Sequence, residues 1–226
     1  MRTRSLLIGA VVPLVAGCGG VSPYRDDALS RGEVPDAVYF IIDTSESMND
    51  RVSIVNGGSD RKIEIAARAV SGLASELNGL SQVGLRTYPD PRGRECNGGK
   101  LLVEIEEKSG RTVQSRVAGV RGESTTPTAE ALIAAATDVR DHGSPVTVVL
   151  VSDGYSSCLD PCLAVEELSI NTDWQIITVG FDLGDEGSEE LRCIAGASGG
   201  KYVNAADGEE LQELFGDPDR LFSVTG

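Results

Sequence analysis

Three segments decide what this chain can fold into: "AVYFIID" (37–43), "PVTVVLVSD" (145–153) and "WQIITVGFD" (174–182). Each is apolar at consecutive positions instead of alternating ones, so each makes a strand that must be covered on both faces. Stretches of helical spacing separate them. Ile63, Ala67, Val70, Ala74 and Leu77 recur every three or four residues, with Asp60 ahead of them as an N-cap. A stronger helix opens at Thr126 and Pro127, with proline at the first helical position, and runs through Val139. Shorter helices are expected at 111–117, after Asp160 and Pro161, after Ser188 as a cap, and after a capping box of Asp207 and Glu210. "QVGLRTY" (82–88) alternates, "LLVEI" (101–105) pairs back on it as a hairpin, and "KYVNA" (201–205) is a short last strand. The result is an α/β pattern: a doubly wound, mostly parallel sheet with helices on both faces and one antiparallel edge strand. With 226 residues, 40% of them hydrophobic and only 4% aromatic, the chain can bury one sizeable core. We assign one domain, over 37–226.

The residues ahead of that domain read as targeting sequence. Arg2 and Arg4 form a charged start, and Leu6 to Val15 an apolar stretch that is short for a bilayer span. In "LVAGC" the small residues Ala16 and Gly17 precede Cys18, an arrangement similar to the lipobox of bacterial lipoproteins. That similarity implies a signal peptide over 1–17, cleavage before Cys18, and acylation of Cys18 as a membrane anchor. Residues 18–36 are then a polar, Gly- and Pro-containing tether, reaching roughly 50 Å if extended. The expected location is the extracytoplasmic side of a bacterial cell envelope.

Cys96, Cys158, Cys162 and Cys193 remain. An even number in an exported chain favours two disulfides, and zinc, the rival for four cysteines, lacks any Cys-x-x-Cys pair here. Three connectivities are possible. A Cys158–Cys162 bridge across four residues at a helix start would be strained, so each is expected to reach a distant partner. Cys96 with Cys158 and Cys162 with Cys193 is the pairing we take, while the other distant pairing stays open.

The net charge is -15 with no Lys/Arg cluster, which sets aside nucleic acid and anionic lipid headgroups as partners. In a parallel sheet, right-handed crossovers bring every strand-to-helix loop to one edge, where ligands bind. Asp43 and Asp153 end two of the strands, Thr126 precedes the helix leading into the second, and Ser45 and Ser47 follow Asp43. Two carboxylates and three hydroxyls would therefore share that edge. An oxygen-only set suits a hard divalent ion, Mg²⁺ first, with Mn²⁺ or Ca²⁺ as alternatives, and does not suit zinc. With only two charged ligands the ion keeps an incomplete shell, which a carboxylate from outside could complete. Singly, Asp43 could begin a turn, Ser45 and Ser47 could cap a helix, and Thr126 could be an N-cap. Their joint occurrence in this order favours the ion.

"DTSES" (43–47) resembles the D-x-S-x-S signature of von Willebrand factor type A domains, and "STTPTAEAL" (124–132) and "VSDG" (151–154) resemble that family's threonine and second-aspartate segments. The likeness covers about 37–221. It implies a Rossmann-like fold with a metal-ion-dependent adhesion site, in which Ser45 and Ser47 bind the ion directly and Thr126 binds directly or through water. Asp43 and Asp153 would act mostly through water. The family's usual Thr-Pro form selects Thr126 over Thr125 and Thr128. The resemblance further implies a protein-binding module, not an enzyme, that recognises an acidic side chain of a partner. "SSCLDPC" (156–162) and Cys193 resemble a bacterial subset of the family, in which the cysteines look like struts on the loops around the site.

Three other readings compete. A magnesium phosphotransferase would use Asp43 as nucleophile, but it needs a second acid two residues on, where Ser45 stands, and no lysine is evidently placed to balance phosphate. "GASGG" (196–200) fits G-x-S-x-G, yet it runs from helix to strand where a nucleophile elbow runs from strand to helix, and the lone His142 lies at a helix end. The third is again non-enzymatic: a metal-organised structural subunit of a membrane assembly with fixed partners.

Overall fold

Six strands form the main sheet of the computed structural model, which describes residues 34–54, 58–122 and 125–223. The expected signal peptide, Cys18 and most of the tether lie outside the described residues. The strands are β1 (Ala37–Asp43), β4 (Gln82–Tyr88), β5 (Lys100–Glu107), β6 (Val146–Ser152), β7 (Trp174–Phe181) and β8 (Tyr202–Ala205). Their order is β5-β4-β1-β6-β7-β8, all parallel except the β4–β5 pair. The chain leaves β1 first to one side, through β4 and β5, and later to the other, through β6. The topological switch point is therefore the gap between β1 and β6.

Both faces of β1 are buried, as its unbroken apolar run requires. Val38, Phe40 and Ile42 enter one core, which is closed by α1 (Lys62–Glu76), α2 (Gly110–Val117), α6 (Gly208–Phe215) and α7 (Pro218–Phe222). Ala37, Tyr39 and Ile41 enter the other, closed by α3 (Thr128–His142), α4 (Pro161–Leu168) and α5 (Asp185–Ala197). The strand period of two thus feeds two cores from one segment. Gly84 on β4 makes room for this packing, since a Cβ there would lie 2.8 Å from the Tyr39 ring and 2.7 Å from Ile105.

Several local expectations are corrected. Asp60 does not cap α1. It belongs to a two-stranded hairpin, β2 (Arg51–Ile54) with β3 (Gly58–Arg61), and its carboxylate accepts from Arg68. The residue opening α1 is Lys62, after Arg61 in extended conformation. Pro127 stands at the N-cap of α3 instead of its first turn, which moves Thr126 outside the helix and frees it from a capping role. That helix ends on His142, closed by Gly143 at φ 76, where glycine carries no Cβ penalty. Helix α5 starts at Asp185, not after Ser188, because Asp185 and Glu186 in its first turn suit the positive end of the helix dipole. Asp160 caps α4 as expected, accepting from the Cys162 and Leu163 amides. Asp207 caps α6, although the Glu210 carboxylate reaches back to the Ala206 amide instead of that of Asp207.

The cysteines pair as Cys96–Cys158 and Cys162–Cys193, with Cα separations of 6.0 and 5.6 Å. The first ties the β4–β5 loop to the loop after β6. The second ties α4 to α5. Among the described residues no helix is long and apolar enough to cross a membrane.

Candidate metal centre

Asp43 is the last residue of β1 and is fully buried. Its two oxygens are held separately: Oδ1 accepts from the Ser45 amide at 2.7 Å and Oδ2 from the Ser152 hydroxyl at 2.6 Å. Ser45 stands at the N-cap position of the short 3-10 turn Glu46–Asn49, yet its hydroxyl makes no capping bond. It lies instead 3.0 Å from the Ser47 hydroxyl. Ser47 in turn donates to Asp153 Oδ1 at 2.7 Å, across the switch point. The D-x-S-x-S loop and the end of β6 are thereby joined into one polar cluster.

Thr126 comes to the same place from the loop before α3. A Cβ built on Gly154 would stand 3.7 Å from both the Ser47 and Thr126 hydroxyls, so these two flank one small space that glycine leaves open. The neighbouring threonines are engaged elsewhere. Thr125 donates to the Glu95 carbonyl at 3.0 Å, and the Thr128 hydroxyl is fully buried 3.3 Å from the Tyr88 phenol. Thr126 is braced through its backbone: its amide bonds the Ser157 hydroxyl at 2.9 Å, and its carbonyl accepts from the Ser157 amide at 3.0 Å. Ser157 precedes Cys158, so the Cys96–Cys158 disulfide holds the segment on which Thr126 rests. A second brace runs through Ser156, whose amide donates to Glu190 of α5. Burial pushes the Glu190 carboxyl up to about 7.

Among the described residues no Lys or Arg pairs with Asp43. Burial, with the Asp153 charge adding to it, pushes the Asp43 carboxyl up to about 6, against the hydrogen bonds from Ser152 and Ser45. Two buried acids close together are costly unless a cation or a proton sits with them. The donors are all oxygen, from hydroxyls and carboxylates, which fits Mg²⁺, Mn²⁺ or Ca²⁺ and offers zinc none of its preferred sulfur or nitrogen ligands. The cysteines are committed to disulfides.

Two participants were not singled out from the sequence. Lys62 is buried, and its ammonium lies 3.0 Å from Asp153 Oδ2 and 3.0 Å from Asp182 Oδ2. Burial pulls its pKa down, but the two carboxylates outweigh this and hold it above its usual value, so it is charged. A signal existed: Lys62 occupies the buried face of α1, with Ile65, Ala66 and Ala69 at the following helical spacings. Asp182 follows Phe181 at the end of β7, the third strand to finish in an acid, at φ 51 in the left-handed region. The other two candidates are elsewhere. Ser198 accepts from the Ile176 amide and donates to the Ala195 carbonyl, and His142 lines a cavity at the opposite sheet edge.

Doubly wound α/β domains with an all-oxygen cluster at the switch point are the class that these observations define. A family model of the von Willebrand factor type A domain matches residues 37–217, and the chain belongs to that family. Among curated proteins, the uncharacterized protein YwmD of Bacillus subtilis (strain 168) is 26% identical over 189 residues, 79% of this chain and 82% of that one. Among solved structures, the PilB minor pilin from Streptococcus sanguinis superposes with a TM-score of 0.62 at 17% identity, over 90% of this chain and 66% of the pilin. The pilus adhesin SpaC from Lactobacillus rhamnosus GG gives 0.65 at 12%, over 84% of this chain and 31% of the adhesin. A von Willebrand factor type A structure from Catenulispora acidiphila gives 0.60 at 21%, over 81% and 41%. This chain spans less than two thirds of each of these solved chains, and the likeness is one of fold.

Proposed function

We propose that this chain is a divalent-cation-dependent protein-binding module, tethered to a membrane of the bacterial envelope through Cys18. Its layout is a signal peptide over 1–17, a tether over 18–36 and the binding domain over 37–226. Ser45, Ser47 and Thr126 hold Mg²⁺ (or Mn²⁺ or Ca²⁺), with Asp43 and Asp153 behind them. The bound ion offers an open position to an Asp or Glu carboxylate of a protein partner. The observation that carries this reading is the convergence of the D-x-S-x-S loop, Thr126 and Asp153 on one small space at the switch point.

The residues divide the work. Asp43 has both oxygens occupied by Ser45 and Ser152, so it serves as a fixed negative charge that orients the serine loop. Lys62 does stand at this edge, contrary to the sequence expectation that no lysine is placed there. Asp43, however, fully buried with both oxygens bonded, is unsuited to the nucleophile role that a phosphotransferase would require. Ser47 and Thr126 flank the space beside Gly154 and present lone pairs to it. Strand β1 spans about 20 Å from Ala37 to Asp43, so the site lies at the opposite end of that strand from the point where the tether joins it. The pilin and the pilus adhesin named above share this fold, which supports a role in surface contacts.

Cross-linking on membranes bearing the full chain tests the proposal. Partners should be captured in Mg²⁺ and lost in EDTA, and equal capture in EDTA would contradict it. A fixed partner at constant stoichiometry would mark the assembly-subunit form of the same reading. Cys18→Ala should leave an uncleaved precursor or release the protein from membranes, and normal processing with membrane retention would contradict the anchor.

A further inference from the structure

Lys62 is a buried cation beside a candidate cation site, an arrangement that calls for an explanation. Its stem rises from the first residue of α1, and its ammonium bridges Asp153 Oδ2 and Asp182 Oδ2, each at 3.0 Å, with the Asp182 carbonyl at 3.4 Å. Asp153 is thereby shared. Its Oδ1 faces the Ser47 hydroxyl and its Oδ2 is given to the lysine. A carboxylate ion-paired on one oxygen is a weaker donor from the other, and the fixed positive charge opposes a second cation across the same group.

We propose that Lys62 is a positioning residue that lowers the centre's intrinsic affinity for Mg²⁺ and so makes ion binding depend on the partner's carboxylate. The proposal rests on the metal-site reading above. Asp43 and Asp153 carry two negative charges toward the ion, and Lys62 cancels one of them. Asp182 faces the lysine from the solvent side with its side chain 45% exposed, so water screens much of its charge. A divalent ion held by three neutral hydroxyls therefore keeps surplus positive charge. An incoming carboxylate removes that surplus, so the two bind cooperatively, and by linkage each tightens the other by the same factor.

The lysine also fixes geometry. With Oδ2 held, Asp153 keeps Oδ1 turned toward the serines, where it can accept from Ser47 or from water on the ion. A neutral residue of equal length would preserve the packing of the stem and remove only the charge, which makes Lys62→Met the informative variant. Asp182→Asn is its counterpart. Asparagine tolerates the left-handed backbone at φ 51, so that variant removes a negative charge without straining the turn.

The test is Mg²⁺ affinity of the purified full chain by calorimetry, with acetate as the carboxylate probe, for wild type, Lys62→Met, Lys62→Arg and Asp182→Asn. Lys62→Met should bind Mg²⁺ about tenfold tighter without acetate and lose most of the tightening that acetate gives wild type. Lys62→Arg should restore wild-type behaviour. Asp182→Asn should shift the affinity the other way, a few-fold weaker. A Lys62→Met protein that melts cooperatively yet binds Mg²⁺ with unchanged or weaker affinity overturns the proposal and makes the lysine a structural brace. If Lys62→Met fails to fold, Asp182→Asn decides, and unchanged or tighter binding there overturns it. Absence of Mg²⁺ binding in wild type is a separate result, overturning the metal-site reading itself and this proposal with it.

Discussion

Two buried polar clusters lie within this one fold, and they are built on opposite principles. On the α3 side of the sheet, Arg86 donates from Nε and Nη2 to Asp138 Oδ2 at 2.9 and 2.6 Å and from Nη1 to the Gly98 carbonyl at 2.7 Å. Tyr39 donates to the same Asp138 oxygen at 2.5 Å. One cation meets one anion, and every partner is internal. At the switch-point edge, Lys62 is shared between Asp153 and Asp182, Asp43 is bonded to the Ser45 amide and the Ser152 hydroxyl, and the Ser47 hydroxyl joins Ser45 to Asp153. Charge is balanced in the first cluster and left unbalanced in the second. The first cluster is closed within the fold, and the second, on the function proposed above, is completed by a cation.

Breaking the closed cluster should cost the most. Arg86→Met strands the Asp138 carboxylate and should lower stability by about 3–5 kcal/mol, read by urea unfolding, with no change in Mg²⁺ affinity in the protein that remains folded. A parallel loss of Mg²⁺ binding would mean that the two clusters are coupled through β1.

Opening the charge of the second cluster should act with the opposite sign. The folded pKa of Asp43, about 6, lies above its ordinary value of 3.8. Its contribution to apo stability is therefore fully present below pH 4 and lost as pH rises through about 6. Asp43→Asn keeps an acceptor for the Ser45 amide and removes the charge. Without metal it should be more stable than wild type by about 2–3 kcal/mol at pH 7.5, the gap closing toward pH 4. A destabilised Asp43→Asn at pH 7.5 would break the contrast.

The disulfides sharpen it further. Removing Cys96–Cys158 by paired Cys→Ser changes should cost about 2–4 kcal/mol of stability and also weaken Mg²⁺ binding several-fold, because Ser157 and Thr126 rest on that bridge. Removing Cys162–Cys193 should cost similar stability with a smaller effect on the ion. The smallest effect should separate the threonines: Thr126→Val should weaken Mg²⁺ about tenfold, roughly 1.4 kcal/mol, while Thr125→Val, whose hydroxyl serves the Glu95 carbonyl, changes it little.

The parts of the molecule legible in the sequence were those governed by local pattern. The apolar runs at 37–43, 145–153 and 174–182 announce strands because burial on both faces leaves no other arrangement. The candidate site residues Asp43, Ser45, Ser47, Thr126 and Asp153 stand out as polar groups at or near strand ends, and the fold brings them to one edge. The β2–β3 hairpin was not legible, because the alternation in "RVSI" is only four residues long and its partner "GSDR" has no apolar residue, the pair being held by polar contacts such as Arg51 to Ser59. Lys62 was missed for a different reason. Its partners lie 91 and 120 residues away, so its burial is a consequence of topology that no local window contains. Asp182 was visible as the end of a third strand, yet its relevance depends on Lys62.

The most direct measurement is a calorimetric titration of the purified full chain with Mg²⁺ at pH 7.5, wild type beside Asp43→Asn, each shown by its melt to be folded. Saturable binding in wild type and a loss of at least about a hundredfold in the variant is the expected result. Equal affinities, or no binding in either, would contradict a cation centre at this edge.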